Sequence, residues 1–130
     1  MWIAVCLISA VICASLLNAQ SDSLHPTSQD YAGTVSLIRL TANSEKYDGK
    51  RAGATGFLRL EFEGNRLYLH QDDYTYNMSE NAVRVGLTKS QSKELADNTV
   101  HYVFVVGTFK AGIEGTSDPN GSIVNITAVV

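Results

Sequence analysis

Between Leu58 and Asp72 the chain alternates apolar and polar residues with period two. Leu58, Leu60 and Phe62 are separated by Arg59 and Glu61 and followed by Glu63; beyond Gly64-Asn65, Leu67 and Leu69 alternate with Arg66, Tyr68 and His70. Alternation on both sides of a Gly-Asn pair predicts a β-hairpin with one buried and one solvated face. A two-residue turn at Gly64-Asn65 pairs Phe62 with Leu67 and Leu60 with Leu69 on the buried face. It pairs Glu63 with Arg66, Glu61 with Tyr68 and Arg59 with His70 on the other. Every pair then matches in polarity, whereas a three-residue loop sets Phe62 against Arg66.

The flanking segments carry weaker versions of the same signals. Leu37, Leu40 and Tyr47 lie at near-helical spacing behind Ser36, a candidate N-cap, and Tyr47-Asp48-Gly49-Lys50 reads as the turn that ends this helix. A first strand follows from about Arg51 to Glu63, with Gly53 and Gly56 predicting a sharp bend or bulge. After the hairpin, Asp72–Asn77 reads as a polar aromatic connection. Val83, Val85 and Leu87 alternate with Arg84 and Gly86 as a third strand. Thr88-Lys-Ser-Gln91 is a capping box opening a short polar helix that ends near Asp97-Asn98. Val100–Phe109 is a continuous β-branched and aromatic run, predicting a strand buried on both faces. Lys110–Gly121, with Gly112, Gly115 and Pro119, reads as a mobile loop, and Ser122–Val130 as a fifth strand. The order helix, three strands, helix, two strands predicts an all-β domain of small helical content. It fits a five-stranded OB-like Greek-key barrel, with a short N-terminal helix and a second helix between strands three and four. An open α+β sheet is the alternative.

The first 19 residues change the picture of where this domain works. They hold no charged side chain, and Trp2–Leu17 is mostly Ile, Val, Ala, Leu and Cys, ending in Leu17-Asn18-Ala19 before a polar stretch. This is the pattern of a secretory signal peptide cleaved near Ala19, although no Lys or Arg precedes the apolar run. Residues 20–34, rich in Ser, Asp, Gln and Thr, then read as a flexible linker, and 35–130 as the barrel domain. A periplasmic or secreted location is expected, with no stable membrane insertion once the leader is removed; an uncleaved N-terminal membrane anchor is the alternative. Both cysteines, Cys6 and Cys13, fall in the leader, so the domain stands without disulfides. Its net charge of −3 argues mildly against nucleic acid as a partner.

Several stretches resemble a family of small secreted bacterial proteins of unassigned function. They are Ser36-Leu37 with Leu40, Glu45–Lys50, Gly56–Asn65, Leu67–His70, Val105–Phe109 and Gly121–Ile126. That family is similar to OB-fold proteins, so the resemblance implies the same barrel; it implies no catalytic residues. Where such relatives carry a valine-rich strand after the Asp-Gly-Lys turn, this chain has Ala52-Gly53-Ala54, which predicts looser packing there.

Candidate chemistry gathers on the solvated face of the hairpin. Arg59, Arg66, Tyr68 and His70, joined by Arg84 of the third strand, are the candidate ligand-binding residues. In OB-folds the face of the second and third strands, flanked by the loops joining strands one to two and four to five, is the usual ligand platform. Tyrosine beside arginine stacks on bases or sugars. The plainer alternative is a set of solvated cross-strand pairs, Glu63 with Arg66 and Glu61 beside Arg59, which contribute little. His70, Asp72 and Asp73 lack the repeated ligand spacing of a metal site, so neither metal nor cofactor is expected. No Gly-x-Ser-x-Gly elbow occurs, and the glycines of 112–121 lack the Lys-Ser/Thr ending of a phosphate loop, so no catalytic residue is assigned. The chain therefore reads as a binding module taking a partner protein or a small or polymeric ligand on the face of its second and third strands. The alternative is a structural or assembly component that meets its partner through an exposed strand edge without a small ligand.

Overall fold

The computed structural model describes residues 31–97 and 102–130. In chain order its elements are β1 (Tyr31–Thr34), α1 (Leu37–Ala42), α2 (Ser44–Tyr47), β2 (Arg51–Arg59), β3 (Arg66–Tyr68) and α3 (Gln71–Thr75). A 3-10 turn at Ser79–Asn81 leads into β4 (Ala82–Val85), α4 (Lys89–Ala96), β5 (Tyr102–Lys110) and β6 (Ser122–Val129). The predicted leader (1–19) and the first part of the predicted linker (20–30) lie outside the described residues.

Closure happens on β2. From Arg51 to Phe57 it pairs antiparallel with β5, and from Phe57 to Arg59 it pairs antiparallel with β3. The sheet continues β3–β4, crosses to β6 by a parallel pairing, and returns through β5 to β2. The parallel step needs a crossover, which α4 and β5 supply. The result is the five-stranded OB-like barrel that the element order predicts, and the β2–β5 pairing excludes the open sheet. Period two explains the core: Leu58, Leu67, Val83, Val85, Val103, Val105, Phe109 and Ile123 point inward from successive strands. Leu37 and Leu40 of α1 join the same cluster with Val35 and Tyr47. Leu40, Leu67 and Phe109 are wholly enclosed, and burying such a side chain is worth roughly 1.5–3 kcal/mol.

The local signals hold at both helices. Ser36 Oγ accepts from the Arg39 N–H at 3.3 Å, and the helix breaks at Asn43 into α1 and α2 before the Asp48-Gly49 turn. At α4 the capping box closes in both directions, Gln91 N–H donating to Thr88 Oγ1 at 3.2 Å and Thr88 N–H to Gln91 Oε1 at 2.9 Å.

Five expectations need correction. The hairpin register is Phe57–Tyr68, Leu58–Leu67 and Arg59–Arg66, so the connection spans 60–65 and bends at Glu61–Gly64, where Gly64 N–H donates to Glu61 O. Phe62 lies in that loop and is fully exposed. Tyr31–Thr34, read as the end of a linker, pairs in parallel with the start of β2. Asp72–Asn77 is not a mere connection: α3 forms there, and it folds back on the barrel surface. β5 alternates instead of burying both faces: Val103, Val105 and Phe109 are buried while Tyr102 and Lys110 are exposed. Ala52-Gly53-Ala54 is tightly enclosed, because a Cβ on Gly53 would fall 2.3 Å from the Phe104 ring; the missing side chain is the space that the ring occupies.

Candidate functional site

Register alone brings three of the chain's five arginines together. Arg59 of β2 pairs with Arg66 of β3, and Arg66 pairs with Arg84 of β4. Cross-strand partners leave the same side of a sheet, with Cβ atoms about 4.5–5.5 Å apart. Their sequence neighbours Leu58, Leu67 and Val83 face the core, so the arginines form a row across the outer wall of the barrel. Ser122 of β6 extends it beside Arg84. Like charges placed directly opposite destabilise a sheet, so the row is held against its own repulsion.

The two outer members are occupied within the protein. Arg59 lies over the Tyr74 ring, its guanidinium carbon 4.2 Å from the centroid, and donates from Nη2 to the Tyr74 hydroxyl at 3.0 Å. Arg84 donates from Nη2 to the Glu63 carbonyl at 2.7 Å and from Nη1 to Asp118 Oδ2 at 3.2 Å. Its Nε stands 3.1 Å from Asp118 Oδ1, an ion-pair contact outside hydrogen-bond geometry. Arg84 thereby ties the β2–β3 loop to the β5–β6 loop. The side chain of Arg66, between them, makes no hydrogen bond or ion pair with any described residue.

Next to the arginine row runs an aromatic one. Phe57, Tyr68 and Ala82 pair across the same three strands and are buried beneath Tyr74 of α3. Tyr74 meets Tyr68 edge-on at 5.6 Å and Phe57 at 6.1 Å, and Tyr102 closes on Phe57 at 5.4 Å. Burial raises the Tyr68 phenol above its ordinary 10.0; the Glu61 carboxylate adds to the rise and Arg66 opposes it. Tyr68 is thus a covered side chain at 4 % exposure, not an open stacking platform. α3 is held in place by Asp73, whose carboxylate accepts from the His70 backbone N–H and from Asn81 Nδ2, both at 2.8 Å. His70 stands at the N-cap of α3, past the end of β3, so it leaves the row that Arg66 and Tyr68 begin. Among the described residues no group of three His, Cys, Asp or Glu side chains is placed to hold a metal ion.

An open cleft of about 270 Å³ is lined by Arg66 and Arg84, by Ser79 and Glu80 of the 3-10 turn, and by Ser117 and Pro119–Gly121 of the β5–β6 loop. Asn120 fixes those walls, its Nδ2 lying 3.2, 3.0 and 3.1 Å from the carbonyls of Ser79, Glu80 and Ala82. Glu80 also borders the cleft. A larger cleft of about 530 Å³ lies between α4 and the end of β6; two of its walls, Leu95 and Val103, flank the undescribed residues 98–101 in sequence. The Gln91 amide at that cleft is already bonded to the Ile126 carbonyl.

The structure therefore groups Arg59, Arg66 and Arg84, buries Tyr68 beside them and places His70 at a helix end. Reading the sequence missed Tyr74, Asp118 and Asn120. A signal existed for the first: Asp72-Asp73 after His70 puts acidic residues in the first turn of a helix. Fold and site together define an OB-like barrel with an arginine row on its outer wall. No protein-family model matches the chain, and comparison with curated proteins finds no match.

Proposed function

We propose that the protein is a binding module that takes a ligand carrying an anionic group on the outer face of β3 and β4. The observation that carries this reading is Arg66: a guanidinium with no hydrogen-bond or ion-pair partner among the described residues, lining a cleft and flanked by two arginines in register. The position supports it too, since this is the wall that OB-folds use for ligands, between the same two loops. The apolar leader pattern of residues 1–19 supports a periplasmic or secreted setting. A thermal-shift screen of the wild type and Arg66→Thr tests the reading, against carboxylates, phosphates, neutral sugars, oligonucleotides and metal salts. Anions that bind the folded state raise Tm in the wild type and not in the variant. An equal response in both, or none from any anion, contradicts it.

A second reading is favoured by β1. The barrel pairs its own strands on both sides, whereas β1 pairs only with β2 among the described strands. An assembly component would dock a partner strand along that free edge. A stable complex retained on size exclusion, lost on placing proline in β1 and indifferent to Arg66→Thr, would favour this reading.

A further inference from the structure

Asp118 places a carboxylate on Arg84 without completing a bidentate pair. Arg84 Nη1 donates to Oδ2 at 3.2 Å, whereas Oδ1, 3.1 Å from Nε, accepts no hydrogen bond, so the paired N–H···O contacts with which arginine takes a carboxylate or phosphate are not formed. Its carboxylate reaches Arg84 alone. Arg66, the adjacent guanidinium in the row, has no hydrogen-bond or ion-pair partner among the described residues. Asp118 belongs to no strand or helix; it sits in the β5–β6 loop after the exposed run Glu114–Ser117. The two side chains are 33 % and 26 % exposed, but Arg84 Nε and Asp118 Oδ1 are covered at the contact and lack a hydrogen bond, so the pair is a weak one.

We propose that Asp118 is an internal stand-in for the ligand's oxyanion. An incoming carboxylate or phosphate displaces Asp118 from Arg84, gains Arg66 as a second guanidinium and releases residues 114–118 of the β5–β6 loop. The inference rests on the reading of the β3–β4 face as a ligand site and adds the class of group recognised and the contact it replaces. Glu80 at the cleft border and Glu61 beside Tyr68 limit the charge the face accepts, which favours a single oxyanion over a polyanion. Asn120 is bonded to Ser79, Glu80 and Ala82 independently of Asp118, so the far wall of the cleft stays in place during the exchange.

The test is a nuclear magnetic resonance titration of the full chain at constant ionic strength, with inorganic phosphate in one arm and succinate in the other. Wild type, Asp118→Asn and Arg66→Thr are compared, and each amide spectrum first verifies the fold. The amide counterpart cannot compete as an anion, so D118N should bind with a Kd roughly two- to five-fold lower. In the wild type, ligand should shift the amide signals of Glu114–Asp118 toward their positions in free D118N. R66T should lose the response. The stronger arm identifies the oxyanion as carboxylate or phosphate. If D118N binds no tighter while R66T loses binding, the stand-in is overturned and the ligand face survives. If the response is unchanged in R66T or absent from every protein, the ligand face falls as well.

Discussion

Arg66 and Arg84 stand directly opposite one another on β3 and β4, two cationic side chains leaving one face of the barrel. Arg84 is neutralised by Asp118, whereas Arg66 has no such partner among the described residues. A position selected for stability alone would not hold a second guanidinium there. Arg66→Thr should therefore stabilise the fold, by about 0.5 kcal/mol, through lost repulsion and better β propensity. Urea denaturation measures the gain, and raising salt should shrink it as the repulsion is screened. A loss of stability would show that Arg66 has a structural partner.

Phe62 provides a separate test of the hairpin. Fully exposed in the 60–65 loop, it should tolerate Phe62→Ser with a change under about 0.5 kcal/mol. The two-residue turn at Gly64-Asn65 would bury it opposite Leu67, and truncation there would cost about 3–5 kcal/mol. Equilibrium unfolding separates the two registers.

The contrast shows what the alternation could and could not specify. Polarity matching survives any register shift by an even number of residues, because side chains return to the same face every second position. Leu58 opposite Leu67 satisfies it as well as Phe62 opposite Leu67 does. The pattern therefore sorted Leu58 and Leu67 to the core, and Arg59 and Arg66 to the outside, while leaving loop length open. Phe62 went astray because an apolar residue that continues the alternation is indistinguishable, locally, from one in a loop.

Asp73 ties the end of β3 and the 3-10 turn to α3, accepting one backbone and one side-chain hydrogen bond while itself 7 % exposed. Asp73→Ala leaves both donors unmet and should destabilise the protein by about 2–3 kcal/mol. It should also loosen Tyr74 from the Phe57–Tyr68 cluster, read as a reduced near-ultraviolet circular dichroism signal. An unchanged spectrum and midpoint would show that Tyr74 is held by other contacts.

The Tyr68 phenol has its pKa raised on folding, chiefly by burial. The folded state thus favours the protonated form, and this contribution is fully present below the unfolded value near 10. It is lost as pH rises through that value toward the higher folded pKa. Stability of the wild type should fall more steeply above pH 10 than that of Tyr68→Phe, which has no proton to lose. Urea midpoints from pH 8 to 11.5 give the comparison; identical slopes would mean the phenol ionises as freely in the folded chain as in the unfolded one.

The candidate site was legible only in part, for physical reasons. Parity along β3 grouped Arg59 with Arg66, and alternation in β4 added Arg84. Nothing in a two-residue period could show that β3 ends at Tyr68, which sends His70 to a helix N-cap instead of the sheet. Tyr68 is on the outer face as alternation requires, but α3 covers it, and tertiary cover leaves no trace in the strand's own pattern. Asp118 and Asn120 lie in a glycine-containing loop that reads as mobile, yet their side chains bridge to residues more than thirty positions away. Pairings of that range follow from barrel closure and not from local chemistry.

The most direct measurement follows the arginine side chains themselves. In the full-length wild type, the Nε–Hε resonances of all five arginines are recorded while inorganic phosphate or succinate is added at constant ionic strength. Arg66 and Arg84 should shift together along one saturable curve, while Arg51, at the other end of β2 from Arg59 and bonded to Thr127, remains still. Arg66 staying silent, or moving no more than Arg51, would contradict an oxyanion site on the β3–β4 face.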